Sequence, residues 1–139
     1  MYEHLVVTQA GQALKVIMNR PERLNALNRR LVDELRGLFT ELYWRRDVRV
    51  VVLRGAGANF CAGLDLKERS NAGGGVAAGL DSQRSISEIV MAMRKCPQPI
   101  VSVVQGAASG GGFALALASD VRIATPTTRM NAAFIRIGL

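Results

Sequence analysis

The chain has 139 residues, of which 49% are hydrophobic and 21% charged, enough apolar content to bury one core and too much for a disordered segment. Its 18 Lys and Arg against 11 Asp and Glu give a formal charge of +7, which favours an anionic partner, either nucleic acid or a phosphorylated small molecule. Cys61, Cys96 and the lone His4 show no metal-ligand spacing, which excludes a zinc or disulfide scaffold and predicts a reduced, cytoplasmic setting.

The first residues carry no basic lead followed by a long apolar run, so no secretory signal is expected. Residues 5–8 and 14–18 favour strands, and Ala10-Gly11-Gln12 between them reads as a hairpin turn. Asn19-Arg20-Pro21 ends the second strand, because proline has no amide for the ladder. Leu31, Leu35, Leu38, Phe39 and Leu42 then recur at helical spacing, with Asn25 or Asn28 as cap. Arg29, Arg30, Asp33, Arg36 and Arg45 are placed on the opposite face. Residues 48–53 form a near-continuous apolar run, as expected of a strand covered on both sides.

Residues 71–79 are rich in Gly and Ala without periodicity and are expected to form a mobile loop. Ile86, Ile89, Val90 and Met93 mark a second amphipathic helix that must end before Pro97 and Pro99. Residues 100–104 are another buried strand, Gly110-Gly111-Gly112 leads into a helix over 113–119, and residues 121–124 read as a strand. The apolar run over 113–118 is too short to span a bilayer, so no membrane partner is expected. Alternating helices and strands centred on Val16, Val51, Val103 and Val121, all expected to be buried, give an α/β class. Four strands are little sheet for a large domain, and the sequence through Ile135, Arg136 and Gly138 to Leu139 reads as continuing.

Two glycine-bearing turns follow buried strands and open helices, one over residues 60–68 and one over 106–113. Free amides at helix starts donate toward anions. If the turns converge, two N–H groups can hold one developing oxyanion, a geometry suited to enolate chemistry on a thioester. The alternative is that these glycines only punctuate the chain and permit tight packing. A dinucleotide fingerprint fails for lack of its last glycine, and no P-loop lysine follows either turn.

Three blocks carry a resemblance: Asn19-Arg20-Pro21-Glu22-Arg23-Leu24-Asn25-Ala26-Leu27-Asn28, Phe60-Cys61-Ala62-Gly63-Leu64-Asp65-Leu66-Lys67-Glu68, and the run from Gly106 through Gly110-Gly111-Gly112 and Ser119-Asp120 to Ala124. In order and spacing they are similar to the signature blocks of the crotonase (enoyl-CoA hydratase/isomerase) superfamily. That resemblance implies an α/β superhelix of repeated β-β-α units, with residues 1–139 as a partial acyl-CoA-binding domain whose C-terminal part is absent. It implies oxyanion-hole amides at Leu64 and Gly111. It further implies a CoA pocket lined by Arg23, Leu24 and Ala26, by Ala62, Leu64, Asp65, Leu66 and Lys67, and by Gly110 and Gly111, with cations meeting CoA phosphates.

The family's two catalytic glutamates fall on Ala114 and Phe134, neither of which moves a proton. Two-glutamate hydration is therefore expected to be disabled, and double-bond isomerisation favoured over hydration, with a catalytic aspartate in a continuation beyond residue 139. Asp65 and Asp120 are expected to be structural, and Cys61 buried and inert. No cofactor is expected apart from the coenzyme A carried by the substrate, and the resemblance implies a homotrimer or hexamer for a full-length protein. The rivals are a non-catalytic acyl-CoA binder and an RNA-binding homologue. Nucleic acid is disfavoured because the basic residues are scattered, with only Tyr43 and Trp44 near Arg45 and Arg46.

Overall fold

A computed structural model describes residues 1–137. Strands β1 (Leu5–Ala10) and β2 (Ala13–Met18) pair antiparallel, turning at Gly11, and helix α1 (Arg29–Leu42) follows. Strand β3 (Val50–Gly55) leads to α2 (Leu66–Ala72) and α3 (Gly75–Lys95). Next come β4 (Ile100–Val104), β5 (Ala107–Ser109), α4 (Gly111–Ala118), β6 (Val121–Ala124) and β7 (Arg129–Asn131), with 3-10 turns at Pro21–Arg23 and Phe134–Ile137.

The main sheet runs β1-β2-β3-β4-β6 and is parallel from β2 onward. Beside it lies a rank of short parallel segments, in which Leu27 bridges Leu64, Cys61 bridges Ala108, and β5 pairs with β7. Each segment follows a main-sheet strand and precedes a helix or 3-10 turn. This is the repeated β-β-α plan expected from the sequence, and it delivers successive helix starts to one place.

Alternation on β2 buries Leu14, Val16 and Met18, and α1 covers them with Leu31, Leu35, Leu38, Phe39 and Leu42. Helix α3 adds Ile86, Ile89 and Met93 to the same core. The cap of α1 is Asn28, whose side chain accepts from the Leu31 amide at 2.9 Å. Asn25 is instead buried and ties loops together, accepting from the Arg20 amide and donating to the carbonyls of Ala56 and Asn59.

Three expectations are corrected. Residues 71–79 are not a loop: they end α2 and begin α3, broken by Gly73 (φ 61°) and Gly74 (φ 96°) in conformations that glycine adopts freely. The helix persists there by extension from the half of α3 that is packed, without burial of its own. Strand β6 is exposed along its whole length rather than buried. It is the last strand of the sheet, and only β4 flanks it among the described residues. Arg45 lies beyond α1, where it pairs with Asp47 rather than extending the polar face. Gly138 and Leu139, where the sequence reads as continuing, lie outside the described residues.

Candidate active site

The segment from Cys61 to Asp65 is held from two sides. On one side the Leu27 amide donates to the Gly63 carbonyl at 2.7 Å and the Asp65 amide donates to the Leu27 carbonyl at 3.0 Å. On the other, the Cys61 amide donates to Ala107 and the Ser109 amide to the Cys61 carbonyl, both at 3.0 Å. In a parallel bridge the bonds to Leu27 use the peptide groups flanking Leu64, so the N–H of Leu64 itself faces away from Leu27. Among the described residues no acceptor engages that N–H, and none engages the N–H of Gly111 at the first turn of α4.

The two turns meet. A β-carbon added at Gly63 would lie 3.4 Å from the Gly111 nitrogen and 2.6 Å from the Ser109 carbonyl oxygen. Gly63 has φ 94°, so the absence of a side chain here permits both the conformation and the approach. Leu64 and Gly111, whose amides the resemblance singles out, thus border one space.

That space is a cavity of about 210 Å³ whose walls include Ala62, Leu64, Leu66, Gly110, Gly111 and Phe134. Among the described residues none of its lining residues carries a carboxylate. Phe134, which the resemblance would put at one of the two glutamate positions, forms part of the wall, with a ring carbon 3.8 Å from where a Gly110 β-carbon would sit. Ala114, at the other, is half-buried on α4 one turn beyond the wall residues. A larger groove of about 750 Å³ opens on the other side of Leu64, between α1, α2 and α3, with charged residues of both signs along it. The smaller cavity, where the two amides meet, is the better chemical candidate.

Asp65 anchors this arrangement. Its carboxylate is 4% exposed, accepts from the Glu68 amide at 3.2 Å as the cap of α2, and pairs with Arg20 and Arg23, each at 3.1 Å. Arg20 also donates to the Ala26 carbonyl at 2.5 Å, fixing the block that carries Leu27. Arg23, expected from the resemblance to face CoA phosphates, is therefore turned toward Asp65. Leu24, Leu66 and Lys67 are exposed, and Ala26 is buried behind them.

Burial pushes the Cys61 thiol up to about 12, so a thiolate is suppressed at neutral pH. Asp120 accepts from the Ile100 amide at 2.8 Å and pairs with Arg94 at 3.1 Å, which makes it a tie between strands and helices rather than a cavity base.

Sequence reasoning missed the wall that α3 supplies. Gln83 and Ile86 line the cavity from a helix that is remote in sequence from both glycine turns. Only the helical spacing of Ile86 with Ile89 and Met93 hinted at which side of α3 faces inward. Arg136, also at the cavity, carried no signal beyond its charge.

Comparison with known proteins places the chain in a family. A family model described as "Enoyl-CoA hydratase/isomerase" matches residues 8–139. A Rhodobacter capsulatus protein named "Probable enoyl-CoA hydratase" is 38% identical over 144 residues, covering 100% of this chain and 53% of the relative. The "1,2-epoxyphenylacetyl-CoA isomerase" of Escherichia coli K12 is 34% identical over 141 residues, covering 100% of this chain and 54% of the relative. The crystal structure of an enoyl-CoA hydratase/isomerase from Xanthobacter autotrophicus Py2 superposes with a TM-score of 0.88 at 32% identity, covering 94% of this chain and 49% of that one. The chain spans about half the length of the curated relatives it matches.

Proposed function

The chain belongs to the enoyl-CoA hydratase/isomerase family, and from that premise we propose that it binds an acyl-CoA thioester and stabilises the enolate of that thioester between the amides of Leu64 and Gly111. The observation that carries this reading is that both N–H groups lack an intrachain acceptor among the described residues while bordering one cavity. Donors fixed by the surrounding fold need no reorganisation as the oxyanion forms, and removal of one such donor typically costs about 10²–10³-fold in rate.

The thioester carbonyl would sit at the two amides, with its acyl group toward Phe134 and Ile86 and its CoA arm leaving past Leu66 and Leu24, where exposed Lys67 is available to a phosphate. Among the described residues the cavity wall offers no acid or base, because Ala114 and Phe134 replace the family's glutamates. The reaction assigned to the longer protein is therefore double-bond isomerisation of an enoyl-CoA ahead of hydration, with the proton carried by a carboxylate from elsewhere in that protein. A cytoplasmic homotrimer or hexamer is the assembly proposed for it.

Calorimetric titration with butyryl-CoA and with free coenzyme A tests the site. The thioester is expected to bind more tightly than free coenzyme A, and Gly111→Val, whose side chain would begin 2.8 Å from Leu27 Cδ1, is expected to erase that difference. Equal binding of thioester and thiol by the unaltered chain would refute the assignment. A non-catalytic binder would bind alike but show no turnover of enoyl-CoA substrates when a longer form is assayed.

A further inference from the structure

The cavity at Leu64 and Gly111 is apolar except for two side chains. Ala62, Leu64, Leu66, Ile86 and Phe134 supply carbon. Gln83 from α3 and Arg136 from the 3-10 turn Phe134–Ile137 supply the polar side chains of the wall. Among the described residues neither side chain makes a hydrogen bond or ion pair, as is also true of Arg46, Arg49, Arg69, Arg84 and Arg129, but Arg136 is the one of these that borders the cavity. A cation and an amide in an otherwise apolar cavity, with no acidic residue on its wall among the described residues, are the kind of few polar groups that fix a ligand's orientation and specificity.

From this juxtaposition we infer that Gln83 and Arg136 form a recognition site for a carboxylate at the end of the acyl group, so that the preferred substrate is the CoA thioester of a short dicarboxylic acid. The inference rests on the thioester reading of Leu64 and Gly111. It fits the space: at about 30 Å³ per water-sized group, 210 Å³ holds roughly seven non-hydrogen atoms, close to a four- or five-carbon acyl group ending in a carboxylate. It also fits the chemistry. Guanidinium donates two parallel N–H groups to a carboxylate, and the Gln83 amide adds a neutral donor. A hydrocarbon tail would take up the same volume without using either donor, whereas a terminal carboxylate gains a charge-assisted pair with the exposed Arg136 and a bond from the half-buried Gln83.

The test compares glutaryl-CoA with butyryl-CoA by calorimetry at moderate salt, using the 139-residue chain, its Arg136→Gln and Gln83→Leu forms, and Arg46→Gln as a charge-matched control at an exposed position. Glutaryl-CoA is expected to bind about threefold to fivefold more tightly than butyryl-CoA, as suits a carboxylate paired with an exposed guanidinium. Arg136→Gln should reduce that ratio to near one, Gln83→Leu should reduce it in part, and Arg46→Gln should preserve it. A wild-type ratio of one or below, a preference for hexanoyl-CoA over glutaryl-CoA, or an equal loss of the ratio in Arg46→Gln would overturn the carboxylate site while leaving the thioester site standing. Failure of both thioesters to bind better than free coenzyme A would overturn the thioester reading and this inference with it.

Discussion

At the scale of single residues, the order of the site converges on Asp65 and Gly63. Burial of the Asp65 carboxyl works to raise its pKa, but the Glu68 amide and the guanidinium groups of Arg20 and Arg23 outweigh it, and the net shift is downward. A carboxyl whose folded pKa lies below its unfolded value near 4 adds stability that is complete above that value and is lost as pH falls through the folded one. Acid titration of urea stability should therefore show a decline beginning below about pH 4 that is weaker in Asp65→Asn. The same substitution strands Arg20, whose side chain is 10% exposed, and should lower the stability at pH 7 by about 3 kcal/mol. Gly63→Ala combines a positive φ with a collision against the Ser109 carbonyl. It is expected to destabilise by about 1–3 kcal/mol in urea unfolding and to abolish thioester binding. The glycines and Asp65 were legible because their letters sit in compact blocks. Their partners were not: Arg20 reads as a surface cation in a turn, and Glu34, on the flank of the apolar stripe of α1, gives no sign in its own letters that it is buried and accepts from the amides of Glu3 at 2.7 Å and His4 at 2.9 Å.

Among the elements, α3 is two helices in energetic terms. From Ile86 onward it presents Ile86, Ile89 and Met93 to the core, whereas Val76 and Leu80 toward its start are 82% and 63% exposed. Local stability follows buried contacts, so amides over 76–82 should exchange with deuterium at least about tenfold faster than those over 87–95. Uniform protection along the helix would contradict this division. The packed half was legible through its periodicity, and the unpacked half was not, because Gly and Ala without an apolar stripe are the same letters a loop would use. Strand β6 shows the reverse failure. Val121 and Ile123 correctly announce a strand, but burial depends on what lies beside it, and a strand's own letters do not state that.

Across the whole molecule, the repeat of strand, short segment and helix explains why residues far apart in sequence share a cavity: each turn of the superhelix advances one strand in the sheet and one helix start in the rank beside it. This plan was legible from three ordered blocks, whereas the wall contributed by α3 had to be seen in space. Among the described residues the sheet ends on β6, whose Val121 and Ile123 are 50% and 51% exposed, an apolar edge of the kind that drives association between chains. Sedimentation at rising concentration should show self-association of this chain, and Ile123→Lys should suppress it. A monomer at every concentration would show that this edge is tolerated in water.

Because the groups assigned to the oxyanion belong to the peptide backbone, their chemistry does not depend on which side chain occupies position 64. A scan that trims each residue to alanine would leave that donor in place and report only the loss of leucine's bulk between cavity and groove. Proline is the one encoded residue that takes the hydrogen itself away, and an ester linkage introduced between residues 63 and 64 would do so with less disturbance of shape.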